Sequence, residues 1–299
     1  MRNLDENTIT DEVISRIAED TNPRLKQIMT SLIRHAHAFI RDVQLTEAEW
    51  AFAIDFLTRV GKTCTDKRQE FILLSDTLGI SMLVDAINHR MPEGATESSV
   101  LGPFYVENPP KAENGADIDR GIPGGGEALY VEGTVTTPDG RPIAGATVDV
   151  WHSDKDGFYD VQYSGGDLFR RARFVTDQDG RFSFWTTMPA LYPIPHDGPV
   201  GEMLKATGRH PYRPAHVHFM IEASGYDKLV TQLFVDGDPY LDSDAVFGVK
   251  NSLICEYVQR PAGPAPDGSI RDKPFRHLVY RFGLRPTGAP ASRRRRHNP

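Results

Sequence analysis

Residues 129–157 read LYVEGTVTTPDGRPIAGATVDVWHSDKDG. Apolar residues recur at every second position, the period of a strand with one buried face. The runs Leu129 to Val135 and Ala146 to Trp151 are separated by Asp139-Gly140 and followed by Asp156-Gly157. Asp-Gly pairs mark turns, because Gly accepts a positive φ and Asp bonds its own backbone. The pattern continues downstream with Arg181 to Thr186, His216 to Glu222 and Leu229 to Val235, punctuated by Asp179-Gly180 and Asp236-Gly237. Short strands with turn signals and no crossover helices predict an antiparallel β-sandwich.

Upstream of about residue 100 the apolar period lengthens to that of a helix. Thr10-Asp11 can start a first helix toward Glu19. A second spans about Pro23 to Val43, with Leu25, Ile28, Met29, Leu32, Ile33, Ala36, Phe39 and Ile40 on one face. Thr46-Glu47-Ala48-Glu49 is a capping box opening a third, which stops near Gly61. A fourth is expected from about Lys67 to His89, before Pro92. The predicted class is therefore α+β: residues 1–100 helical, 101–290 the sandwich, 291–299 a solvated basic tail with four consecutive arginines. Residues Ala112 to Glu127 are Gly-rich and predict a surface loop.

The 299 residues suffice for a sizeable core, and a net charge of -7 argues against nucleic acid as a partner. Cys64 and Cys255 make no disulfide framework and are expected as buried free thiols. The polar, acidic start and the lack of a long apolar run predict a cytoplasmic protein with no membrane span.

Chemistry concentrates in residues 208–219, GRHPYRPAHVHF. Side chains two apart on a strand share a face, so His216 and His218 can reach one ion. A strand carrying histidines on its polar face needs no metal, however. No Cys, Asp or Glu set at zinc spacing completes the site, although a carboxylate distant in sequence could be recruited. Tyrosine would imply a hard, highly charged ion able to form the phenolate near neutral pH, but spacing cannot choose among ten tyrosines.

Four motifs, in order, make that choice. Trp151-His152 with Asp156-Gly157-Phe158-Tyr159-Asp160 resembles the first-tyrosine motif of the intradiol ring-cleavage dioxygenases, and Pro189-Ala190-Leu191-Tyr192-Pro193-Ile194-Pro195 the second. Arg213-Pro214-Ala215-His216-Val217-His218-Phe219 is similar to the family's histidine motif, and Thr231-Gln232-Leu233-Phe234 to the strand that follows. The likeness spans about residues 20 to 285. It implies one non-haem Fe(III) per subunit, with Tyr159 and His216 equatorial, Tyr192 and His218 axial, and a hydroxide in the fifth place. Tyr192 would leave on diol binding and act as a base. Arg213 would stabilise charge on the ring and Gln232 would support it, although a structural ion pair and a satisfied strand amide also explain those two. The ring would open with O2 between its hydroxylated carbons, giving a muconate-type dicarboxylate.

The segments ATESSVLGPFY (95–105) and EFILLSDTLGISMLV (70–84) resemble the hydroxyquinol branch more than the catechol branch. That implies a substrate wall of Leu73, Asp76, Val100, Leu101, Gly102, Pro103, Phe104, Ile194, Pro195, Arg213 and Val246, with Leu101 departing from the aromatic common there. Asp76 on an apolar helix face needs a polar partner, which a third substrate hydroxyl would supply; a backbone amide or an arginine would serve as well. The helical third resembles a dimerisation region, and the apolar face from Leu25 to Ile40 predicts a homodimer through the N-terminal helices, the alternative being that this face only covers its own sandwich. The resemblance allows a bound lipid between the helices, which the sequence leaves open. Rival readings are a catechol or chlorocatechol dioxygenase, a transthyretin-like binding module, and a zinc hydrolase using His216 and His218.

Overall fold

The computed structural model describes residues 2–65, 68–119 and 125–289. The basic tail and the glycines of residues 121–124 lie outside them. The chain divides into two compact units, Met1–Lys62 and Thr63–Pro299.

The first unit carries α1 (Ile9–Ser15), α2 (Pro23–Val43) and nearly all of α3 (Glu47–Thr63). Helix α1 is shorter than expected, ending before Glu19. Asn22 caps α2 by accepting from the amides of Arg24 and Leu25 at 3.0 and 3.2 Å, and Pro23 supplies a preset φ at the first helical position. The capping box of α3 is formed: Thr46 N donates to Glu49 Oε2 at 2.9 Å, and Glu49 N to Thr46 Oγ1 at 3.3 Å. Thr10 Oγ1 meets His37 Nδ1 at 3.0 Å, joining α1 to α2.

In the second unit the expected fourth helix is two helices, α4 (Glu70–Thr77) and α5 (Ile80–Asn88). The break is Gly79, whose φ of 73° is left-handed and ends the helical path; Lys67, the expected start, lies outside the described residues. A short α6 (Pro199–Ala206) follows later.

The strands are β1 (Ala116–Asp117), β2 (Ala128–Thr136), β3 (Thr147–His152), β4 (Arg171–Val175), β5 (Arg181–Thr187), β6 (Tyr192–Pro193), β7 (Tyr212–Arg213), β8 (His216–Glu222), β9 (Leu229–Val235), β10 (Ile254–Cys255), β11 (Val258–Arg260), β12 (Gly263–Pro264), β13 (Ile270–Arg271) and β14 (Phe275–Gly283). Two five-stranded sheets, β1-β5-β2-β14-β11 and β10-β9-β8-β3-β4, pack face to face. Phe219 of the second sheet meets Phe282 of the first at 4.8 Å, within a core that also takes Val131, Val150, Phe184 and Leu233. The sandwich is mixed rather than wholly antiparallel, because β14 pairs with β2 in parallel over nine residues. Strands β4 and β14 were not expected, and β1 lies within the expected loop. Both cysteines are half-buried rather than fully buried.

Candidate active site

Strand β8 distributes its side chains by the two-residue period. Val217, Phe219 and Ile221 enter the core between the sheets, whereas His216 and His218 face outward, where Trp151, Tyr159, Tyr192 and Met220 form a separate cluster. The site is therefore built on the outer face of the second sheet. Its four proposed ligands are all at most 4% exposed.

The two imidazole Nε2 atoms stand 3.0 Å apart. His216 Nδ1 donates to the Pro214 carbonyl at 2.7 Å, which leaves Nε2 as the acceptor nitrogen, a tautomer assigned from that bond. Trp151 stacks on His218 with ring centroids 4.6 Å apart and planes at 11°.

Tyr159 follows a tight turn in which Asp154 Oδ1 accepts from the amides of Asp156 and Phe158 at 2.8 and 3.0 Å. Gly157 has a φ of 87°, and a Cβ there would lie 2.8 Å from Tyr192 Cβ. Only glycine lets the two tyrosine segments approach this closely. The Tyr159 and Tyr192 rings meet edge to face at 5.3 Å, and Tyr192 lies 5.6 Å from the His216 ring. Strand β6 pairs Tyr192 directly with Arg213 of β7.

Arg213 is 2% exposed and forms a two-point ion pair with Asp244, Nε to Oδ1 at 2.9 Å and Nη2 to Oδ2 at 3.0 Å. It also donates to Gln232 Oε1 at 2.7 Å, and Gln232 passes the chain on to the Val100 carbonyl at 2.6 Å. Arg213 thus has both the structural ion pair and a place beside the proposed ligands, its Nη1 being 3.4 Å from His216 Nε2. Asp244 lies in an irregular loop with no periodicity to reveal it. The one available signal is that a buried arginine requires a counterion.

Burial depresses the His216 imidazole to about 3, with the Arg213 charge adding to the effect, and pushes His218 well below its usual value. Both rings are neutral and able to ligate at ordinary pH. Burial, reinforced by the nearby Tyr192, pushes the Tyr159 phenol well above its usual value, and its oxygen has no hydrogen-bond partner among the described residues. A cation at that oxygen would both satisfy it and permit the phenolate. The donor set suits one hard, highly charged ion: two neutral imidazoles and two phenols. The 3.0 Å Nε2 spacing also matches two neighbouring nitrogens held about 2.1 Å from a shared ion. Among the described residues no cluster of three or more His, Cys, Asp or Glu offers a rival metal site.

Leu73, Asp76, Pro103, Phe104 and Pro195 line one cavity of about 160 Å³, together with Arg68, Glu70 and Ile72. Phe104 stacks on Tyr159 at 4.4 Å and so joins the cavity wall to the ligand cluster. Gly102 (φ 74°) backs onto His218, with a hypothetical Cβ 3.3 Å from its Cε1. Val100 contributes its carbonyl to Gln232. Ile194 and Val246 are buried, the latter donating its amide to Asp244 at 3.3 Å, and Leu101 is 39% exposed. Asp76 is buried; burial pushes its carboxyl up, only partly offset by the Ser81 hydroxyl and the Arg213 charge.

Comparison with known proteins shows the family. Residues 100–286 match the family described as Dioxygenase, and residues 22–96 match Catechol dioxygenase N terminus. The chain is 54% identical over 288 residues to 6-chlorohydroxyquinol 1,2-dioxygenase of Cupriavidus pinatubonensis, covering 96% of this chain and 100% of that protein. The crystal structure of hydroxyquinol 1,2-dioxygenase from Pseudomonas putida superposes with a TM-score of 0.87 at 49% identity, covering 94% of this chain and 98% of that one. Catechol 1,2-dioxygenase from Pseudomonas arvilla gives 0.78 at 32% identity, covering 96% and 94%. The chain belongs to the intradiol ring-cleavage dioxygenases, an enzyme family within which its matches to hydroxyquinol-cleaving members exceed those to catechol-cleaving ones.

Proposed function

We propose that this enzyme cleaves hydroxyquinol (benzene-1,2,4-triol) between adjacent hydroxylated carbons, placing both atoms of O2 in 3-hydroxy-cis,cis-muconate, the enol form of maleylacetate. The observation that carries the substrate choice is Asp76, a buried carboxyl in a small, largely apolar cavity whose Phe104 wall rests on Tyr159. A desolvated acceptor there favours a ring with a third hydroxyl. The names of the relatives support the same choice.

Tyr159, Tyr192, His216 and His218 would hold one non-haem ferric ion per subunit. When bound, that ion supplies a Lewis-acidic anchor for the two adjacent hydroxyls. Tyr192 Oη is the base that accepts a diol proton. Arg213, kept in place by Asp244 and Gln232, stabilises negative charge developing on the ring. Phe104 and Leu73 pack on the ring faces and keep water out.

Metal analysis with a visible spectrum, followed by turnover of hydroxyquinol against catechol, tests this function. One iron per chain, a phenolate-to-ferric band and preference for hydroxyquinol are expected. A colourless zinc protein, or higher efficiency on catechol, would sink the corresponding part.

The assembly belongs to the same proposal. Helix α2 has no buried residue although Leu25, Leu32 and Phe39 are 50%, 58% and 57% exposed. A homodimer through the N-terminal helices would cover that face, and a lipid extracted from it would be found by mass spectrometry. Light scattering at micromolar concentration should give twice the 33.4 kDa of one chain. Among the described residues no helix is long and apolar enough to cross a membrane.

A further inference from the structure

Asp160, the residue after Tyr159, and Arg171 of β4 form an ion pair whose side chains are 1% and 2% exposed. The guanidinium engages both carboxylate oxygens, Nε reaching Oδ2 at 2.7 Å, and the Val161 amide donates to Oδ1 at 2.9 Å. Burying such a pair costs desolvation that only good geometry offsets, and apolar side chains of similar volume would usually serve stability as well. Its placement supplies a different reason for it. Arg171 is register partner of Trp151, and Trp151 of His218. The pair therefore ties the Tyr159 backbone to the same cross-strand row that carries His218. A second tie holds Tyr159 itself, its amide donating to Gln162 Oε1 at 2.8 Å. Tyr192 has less local support, since it sits in a ribbon of two residues paired with Tyr212 and Arg213.

We propose that Asp160 and Arg171 are positioning residues that clamp Tyr159 to the histidine-bearing sheet. This rests on the iron-binding function proposed above. The test uses the iron-loaded full chain and the double variant Asp160→Leu/Arg171→Met, which removes both charges and roughly keeps the volume. Arg171→Lys is the second variant, keeping the charge but losing the two-point fork. Folding is followed by circular dichroism and thermal midpoint, and the site by the rate of iron loss to excess chelator and the visible phenolate band. The double variant should fold yet lose iron roughly ten- to a hundredfold faster, the usual effect of removing an outer partner of a metal ligand, with a displaced or weakened band. Arg171→Lys should fall between it and the parent. If the double variant does not fold, Arg171→Lys decides alone. Wild-type chelation rate and band in a folded variant would overturn the clamp. A parent protein that itself holds no iron would overturn the metal site and the clamp together.

Discussion

Arg171 and Gln232 stand at the two ends of one cross-strand row on the outer face of the second sheet, with Trp151 and His218 between them. Each end anchors a different part of the site: Arg171 binds the carboxylate that follows Tyr159, and Gln232 binds Arg213. A single register thus fixes groups brought from loops far apart in sequence, and a one-residue slip would turn the whole row into the core.

The Arg213–Asp244 pair is the most exposed to disruption by a single substitution. Asp244→Ala leaves a guanidinium buried without its counterion and should destabilise the fold by about 3–5 kcal/mol, with loss of activity. Asp244→Asn should cost less, because one acceptor oxygen remains. Urea unfolding of the two variants beside the parent measures the difference; equal, sub-kilocalorie effects would mean that the pair contributes little.

The two tyrosines should respond unequally. Tyr159→Phe should lose iron, whereas Tyr192→Phe should retain more iron and yet be inactive, because the group lost there is the base. Iron content per chain, read with turnover, checks this. Equal iron loss in both variants would remove the base role from Tyr192.

Asp76 tests substrate choice. Losing a hydrogen bond to a charged group costs about 1.5–3 kcal/mol, so Asp76→Ala should lower kcat/KM on hydroxyquinol roughly ten- to a hundredfold. The effect on catechol, which lacks the donor, should be much smaller. Equal impairment of both diols would make Asp76 a structural residue.

The same carboxyl governs a pH dependence opposite in sign to that of Asp244. Burial would raise the Asp244 carboxyl, but Arg213 outweighs it and holds the group below its usual range. Its contribution to stability is present above the unfolded value of about 3.9 and is lost as pH falls through the lower folded value. Asp76 is raised by burial. Its contribution is present below about pH 3.9 and is lost as pH rises through the raised folded value. Asp76→Asn should therefore stabilise the protein near neutrality, and the gain should fade in acid. A variant less stable than the parent at neutral pH would contradict this.

Gly102→Ala should impair the site without replacing any proposed ligand. Its φ of 74° strains any other residue, and the new methyl would press on His218 at 3.3 Å. Iron content and activity should both fall while the sheet signature in circular dichroism persists.

Much of this architecture is written in local periodicity. Pro23–Val43, His216–Glu222 and Leu229–Val235 have the bounds their patterns imply, because each buries or presents one face along its whole length. Strand β4 escaped notice because Arg171 and Arg173 lie on its outer face, where arginines read as solvated charge; their acids, Asp160 and Asp149, come from elsewhere in the chain. Strand β14 is likewise broken up by Arg276, His277 and Arg281. Residues 70–84 look like one apolar helix, and nothing local says that Gly79 takes a left-handed φ rather than sitting within it. Of the four proposed ligands, His216 and His218 are candidates from their spacing on a strand, whereas Tyr159 and Tyr192 stand out only through their motifs. Asp244 and the Asp160–Arg171 pair acquire meaning only when the fold brings distant charges together.

The parallel pairing of β14 with β2 has a consequence for how the chain is made. Arg276 and its partner Glu127 are 149 residues apart in sequence, and β14 lies between β2 and β11 in its sheet. During synthesis β2 and β5 must wait, one long edge unpaired, while the ribosome adds β8, β9 and β10 of the histidine-bearing sheet. Contacts of such separation form slowly, and open strand edges invite pairing with other chains. The last step of the sandwich's folding is thus set by the arrival of residues 275–283. A nascent chain stalled before them should be held by chaperones or aggregate, although all four proposed iron ligands have already been translated.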